Sequence, residues 1–185
     1  MDLGHLENAE AAHLREYLRF LLWHYRVVDS FWFIKVAEKF GQDQAEQMNE
    51  EVWAKVAPMA AKDLVMRFGI HEKGLEGFFK AMRLYPWHLL IGYDFEQSGN
   101  EATVRVPNCP TQQARISRGL DEYACKGMHQ AEFEGFAQAI DKRITVECAF
   151  APPDPHPDGE FCKWLFKVRE TAVPEGAAEP DKVSS

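Results

Sequence analysis

The hydrophobic pattern of this chain changes its period once, and that change limits what the chain can fold into. Through about residue 85 the apolar residues recur at three- and four-residue steps, as one face of a helix requires. Leu14, Leu18, Leu21, Leu22, Tyr25 and Val28 mark the first run. Ala45, Met48, Val52, Val56, Met59, Leu64 and Met66 mark the second, and Leu75, Phe78, Phe79 and Met82 the third. Beyond Trp87 the period becomes two. Leu89, Ile91, Tyr93 and Phe95 share one face, with Leu90, Gly92 and Asp94 on the other, then Ala102, Val104 and Val106 alternate with Thr103, Arg105 and Pro107. Helices first, strands later, is the order of an α+β domain.

The expected elements are a helix from Ala9 to Phe40 broken near Asp29-Ser30, a helix over Asp43–Phe68 with a kink or joint at Pro58, and a helix over Lys73–Leu84. A hairpin over 89–106 turns at Ser98-Gly99-Asn100. Two helices follow, 110–118 and 122–140, the second capped by Asp121. A second hairpin pairs Arg143–Phe150 with Phe161–Val168 across a proline-rich connector at residues 152–159. The expected fold is therefore long N-terminal helices packed on a small antiparallel sheet made of two hairpins separated by two helices. It forms a single domain over 1–172, helical over 1–85 and sheet-containing over 86–172, with residues 173–185 a disordered tail rich in Pro, Gly, Ala, Glu and Ser.

The 185 residues suffice for a buried core without disulfides, and 46% of them are hydrophobic. No apolar run is long enough to cross a membrane. The first ten residues lack the basic n-region of a secretory signal, so a cytoplasmic location with reduced thiols is expected. A net charge of −8 argues against nucleic acid as a partner.

All four cysteines, Cys109, Cys125, Cys148 and Cys162, lie in the second half. Cys109 precedes a helix start at Pro110, where partial positive charge favours a thiolate. Cys125 falls in the first turn of the next helix with His129 four residues on, which places thiol and imidazole on one face. Such a pair serves either as nucleophile and base or as two metal ligands. Cys148 and Cys162 fall on the apolar faces of the last two strands and, if the hairpin folds about Pro155, lie opposite each other. Core packing, a cross-strand disulfide and a shared ligand set are all open for them. The connector, with Asp154, His156 and Asp158 among its prolines, is either a pocket wall or a rigid spacer.

The segment from Cys109 to Phe166 resembles the L-2-amino-thiazoline-4-carboxylic acid hydrolase-like proteins. The resemblance rests on a cysteine after a strand (Cys109), a second near a glycine-rich bend (Cys125) and the late run Gly159-Glu160-Phe161-Cys162-Lys163-Trp164-Leu165-Phe166. The longer stretch 10–168 is similar to an uncharacterised branch of bacterial and archaeal proteins near that group, through Gly41, Trp53, Gln113-Ala114-Arg115, Gly119-Leu120, Cys125-Lys126 and Pro152-Pro153-Asp154. Met128 and His129 stand where the hydrolase-like group carries an aspartate, and Ala151 where branch members carry a cysteine. The resemblance implies opening of a small sulfur- and nitrogen-containing ring by water.

The expectation is a small-molecule enzyme that hydrolyses a cyclic C–N bond. Cys125 or Cys109 is its nucleophile, His129 its base, and Arg115 or Arg118 the anchor for a substrate carboxylate. The alternative is a metal-binding or ligand-sensing protein without turnover, in which Cys109, Cys125, Cys148 and Cys162 hold zinc or an iron–sulfur cluster. The aromatic-rich N-terminal helices also suit a homodimer interface.

Overall fold

The computed structural model describes residues 2–170. The expected tail at 173–185 lies outside the described residues. A short 3-10 turn (Gly4–Leu6) leads into α1 (Ala11–Phe40), α2 (Gln42–Arg67), α3 (Gly74–Met82) and α4 (Pro86–Ile91). Then come β1 (Asp94–Ser98), β2 (Glu101–Val106), α5 (Pro110–Ile116), α6 (Lys126–Ile140), β3 (Ile144–Phe150) and β4 (Cys162–Val168). The four strands make one antiparallel sheet in the order β1-β2-β4-β3. The two hairpins are joined into that sheet by the pairing of β2 with β4. The α+β class and the helices-on-sheet arrangement are as the sequence patterning predicts.

One face of the sheet carries the core. Ala102, Val104 and Val106 of β2 and Cys162, Trp164 and Phe166 of β4 are buried at alternate positions, as a two-residue period demands. They meet Phe133 and Phe136 of α6 and Phe78 of α3. Phe133 packs edge-to-face on both Trp164 and Phe166. On its other side α6 lies along α2. The two pack closely at Gly135, where an added Cβ would stand 3.0 Å from the Pro58 ring. The predicted joint at Pro58 is therefore absent: α2 runs unbroken through it.

Three further expectations are corrected. The break at Asp29-Ser30 does not occur, because neither residue stops a helix as Gly or Pro does, and α1 runs 30 residues to Gly41. The strand expected from Leu89 is helical up to Ile91. Pro86 sits in the first turn with φ already set for a helix, and Gly92 ends it in the left-handed region (φ 75°). The alternation of Leu89 and Ile91 with their neighbours thus belongs to a short helix, and β1 starts at Asp94. Finally, α6 starts at Lys126 rather than Glu122, for a reason found in the site.

Candidate functional site

A pocket of about 410 Å³ opens between the second half of α1, α5 and the N-terminal end of α6. Cys109, Cys125, His129, Arg115 and Arg118 all line it. Behind it a cavity of about 20 Å³ reaches toward the sheet, bordered by Tyr93, Cys109, Cys125, His129, Phe161 and Cys162. Three of the four cysteines and the histidine therefore do share one hollow. Cys148 stands outside it.

Gln112 makes this geometry. Its side chain is fully buried on α5. Its Nε2 donates to the Tyr123 carbonyl at 2.8 Å and toward Cys125 Sγ at 3.4 Å, and its Oε1 accepts from the Tyr123 N–H at 2.9 Å. These bonds occupy backbone groups that a helix would use, so residues 121–125 stay outside α6 and Cys125 becomes its N-cap. Two more ties hold the segment. Asn49 of α2 donates to the Tyr123 hydroxyl at 2.8 Å, and the Lys126 N–H donates to the Pro152 carbonyl at 3.0 Å.

From that cap, α6 places His129 one turn on, its N–H donating to the Cys125 carbonyl at 3.0 Å. Glu132 follows three residues later. His129 Nδ1 lies 2.7 Å from Glu132 Oε2. The other carboxylate oxygen, Oε1, accepts from the Tyr85 hydroxyl at 2.9 Å. Glu132 is 1% exposed, so its charge is held by those two partners away from water. Burial alone would pull the His129 pKa down. Hydrogen bonding to the Cys125 sulfur and to Glu132, with the carboxylate's charge, outweighs it and holds the imidazole well above its ordinary value. A thiol, an imidazole and a carboxylate thus stand in sequence along one helix face. Such a series can move a proton from sulfur to ring while the carboxylate fixes the ring's orientation.

The other thiols behave differently. Burial pushes the Cys109 pKa up, against the expectation that its helix start would lower it. Burial also raises Cys162 strongly, and Cys148 to about 11. Cys148 and Cys162 do not face each other. Cys148 stands opposite Trp164, and Cys162 opposite Val106 of β2, because the β3–β4 pairing is centred on His156, one residue beyond Pro155. All four cysteines are free thiols. Among the described residues no three His, Cys, Asp or Glu side chains are grouped so as to hold a metal ion. The four-thiol arrangement expected for zinc or a cluster is thus not formed.

Arg115 spends its Nε on the Asp121 carbonyl at 2.8 Å, while Arg118 and Arg26 line the pocket beside it. Asp29 of α1 completes the polar part of the wall. Burial and, after it, the charge of Glu132 push its pKa up to about 6. The Tyr93 hydroxyl, at the inner cavity, is buried without a hydrogen-bond partner. The connector between β3 and β4 is a pocket wall: Pro152 and Phe161 border the inner cavity. It is fixed by Asp154 to Lys126 at 2.8 Å and by His156 to Glu122 at 3.0 Å.

Sequence reasoning missed Glu132, Gln112, Tyr93, Arg26 and Asp29. For Glu132 a signal existed: Cys125, His129 and Glu132 are spaced 4 and 3, the steps of one helix face. Gln112 gives no such signal, since its role depends on a segment eleven residues away.

Residues 15–168 match a family of unknown function (DUF6125), and the chain belongs to it. The expectation of an uncharacterised family is thereby met. No curated protein matches the chain. Among solved structures, the crystal structure of a trafficking protein particle complex subunit 3 from Naegleria fowleri, covalently bound to palmitic acid, is similar. The likeness covers 84% of this chain and 97% of that one, at 10% identity and a TM-score of 0.45. No helix among the described residues is long and apolar enough to cross a membrane.

Proposed function

We propose that the chain is a thiol-dependent hydrolase that opens a C–N bond in a small, carboxylate-bearing cyclic molecule. The observation that carries this reading is the Cys125–His129–Glu132 series lining a pocket whose rim holds Arg26, Arg115 and Arg118. The contact of His129 with Cys125 favours Cys125 over Cys109 as nucleophile.

In this scheme an arginine pairs with the substrate carboxylate, leaving the reactive carbon over Cys125. His129, held as the imidazolium before attack, already carries the proton of the pair, so the Cys125 sulfur attacks and the C–S bond forms. The imidazolium is held by Glu132. The negative charge developing on the substrate has one buried donor ready for it, the unpartnered Tyr93 hydroxyl, with the Gln112 amide close to the sulfur. The proton then passes from His129 to the departing nitrogen as the C–N bond breaks. A water molecule, deprotonated by the now neutral His129, attacks the thioester-like carbon, and sulfur leaves with the proton kept on the ring, which restores the starting pair. Glu132 keeps one face of the ring directed at the sulfur throughout, as the third member of such a series does. The resemblance of residues 109–166 to thiazoline-carboxylic acid hydrolase-like proteins suggests the test substrate.

The experiment is turnover of L-2-amino-thiazoline-4-carboxylate and of simple cyclic amides by wild type, Cys125→Ser, His129→Ala and Cys109→Ser. Loss in the first two variants, with Cys109→Ser retaining most activity, is expected. Full activity in Cys125→Ser or His129→Ala overturns the assignment. Independently of any substrate, iodoacetamide should label Cys125 ahead of the other three thiols, and His129→Ala should slow that labelling.

A further inference from the structure

The longest helix is also the least buried, and its exposed residues are not randomly placed. None of the 30 residues of α1 is fully buried. From Ala11 to Leu21 every residue is exposed, so the first three turns stand clear of the body. A helical segment of that length is marginal in water without a packing partner.

Two stripes run down α1. Leu22, Arg26, Asp29, Phe33 and Val36, at steps of four and three, are half-buried against the rest of the chain. One residue behind them run Leu14, Leu18, Leu21, Tyr25, Val28 and Trp32, at steps of 4, 3, 4, 3 and 4. All six are exposed, Leu18 by 47% and Trp32 by 71%. This is an unbroken seven-residue repeat with apolar residues at both core positions, the pattern that packs one helix against another. At about 1.5 Å per residue it is roughly 27 Å long.

We infer that α1 is a dimerisation helix and that the surface over Leu14–Trp32 is covered by α1 of a second copy of this chain. The repeat is complementary to itself, so a two-fold pair needs no second sequence. With Tyr17, Phe20 and Phe31 beside it, the stripe presents nine large apolar side chains. At roughly 80–100 Å² each, judged against the 150–250 Å² of a whole aromatic, they amount to about 800 Å² per copy, the usual half of a stable interface. A lipid surface is the poorer fit. A helix that lies on a membrane needs one strongly polar face. Here Trp23, 51% exposed, interrupts the face that holds Glu16 and Arg19, and a helix apolar on several sides is one buried on several sides. The inner stripe and one side of Tyr25, which packs on Trp87, answer to this chain, and the rest of the outer stripe to its twin.

Sedimentation equilibrium of the full chain tests this without reference to any activity. Wild type should show twice the 21.2 kDa chain mass and dissociate on dilution. The double variant Leu18→Glu with Val28→Glu, at positions exposed in the single chain, should keep its circular dichroism. Its dissociation constant should rise by at least about a hundred-fold, as loss of two central anchors implies. Met66→Glu, exposed on α2 away from the seam, should change it by no more than about three-fold, as a surface substitution does. A wild type that is monomeric at every concentration overturns the inference. So does a dimer that the double variant leaves intact, or one weakened equally by Met66→Glu. A monomer that instead binds phosphatidylcholine–phosphatidylserine vesicles overturns it in favour of a lipid surface.

Discussion

Asp29 should make the fold less stable than it could be, and replacing it tests the electrostatics of the pocket. The carboxyl belongs to α1, half-buried on the pocket wall, with Glu132 charged nearby. Burial first and that charge second raise its pKa from 3.8 to about 6. The folded chain therefore holds this proton over a pH range in which the unfolded chain has already released it. Stability must fall as pH rises from about 4 to about 6, and the full penalty persists above 6. The difference of about 2 on the pH scale is worth about 3 kcal/mol at roughly 1.4 kcal/mol each. Partial exposure of the group reduces this to about 2 kcal/mol. Asp29→Asn keeps the shape and removes the ionisation. Urea unfolding of both proteins should give the variant an advantage of about 2 kcal/mol at pH 7.5, shrinking to nothing near pH 4. In a Glu132→Gln background the gain should be smaller, because part of the repulsion is already gone. Equal stability at pH 7.5, or a gain that does not vary with pH, would refute the placement of Asp29 against Glu132.

Other variants separate chemistry from packing. Glu132→Gln should lower turnover about a hundred-fold or more while retaining Cys125, because the ring loses the partner that orients it. Its pH–rate profile should move, which a purely structural loss would not do. Tyr93→Phe should lower kcat about ten- to hundred-fold with little change in KM if its hydroxyl meets developing charge. Because that hydroxyl is buried without a partner, stability should hold or rise, read by thermal unfolding. Gly77→Ala should cost several kcal/mol or prevent folding, since its Cβ would collide with the Glu72 carbonyl. By contrast, Gly127→Ala meets only the mobile end of Glu50 and should fall within about 1 kcal/mol of wild type in urea titrations.

What could be read from the sequence was whatever depends on near neighbours. The 3–4 and 2 periods located α2, α3, β2, β3 and β4 to within a residue or two, because each buries one face against a single continuous core. The misreadings share a cause. Leu89 and Ile91 alternate like a strand, yet Pro86 and Gly92 decide the backbone there. A six-residue helix is too short for its period to be told from that of a strand. The α6 start was misplaced because Gln112, distant in sequence, holds the Tyr123 backbone. Cys125 and His129 were legible as a pair, since four residues on a helix are neighbours. That Cys109 and Cys162 join them, and that Cys148 does not, depends on the register of β4 against β2 and β3. That register is centred on His156 rather than Pro155, a one-residue difference that no local pattern announces.

The element that closes the pocket is the one the core secures least. α6, which holds Cys125, His129 and Glu132, lies between α2 and the sheet, with Phe133, Phe136 and Ala137 almost wholly buried. Its side chains are fixed by packing that cannot shift without loss. α1 contributes Arg26, Asp29 and Phe31 from the opposite wall. It packs along α2 and reaches the rest of the body by Phe33 on Tyr123 and Tyr25 on Trp87. On the proposed chemistry, a rigid reactive side facing a lightly held wall would let substrate enter by small movements of α1 while the proton-transfer geometry stays fixed. The outer stripe of α1 runs one residue away from the pocket-facing one. A second α1 seated on that stripe, as inferred, would constrain the angle of the helix, and with it the distance from Arg26 and Asp29 to Cys125.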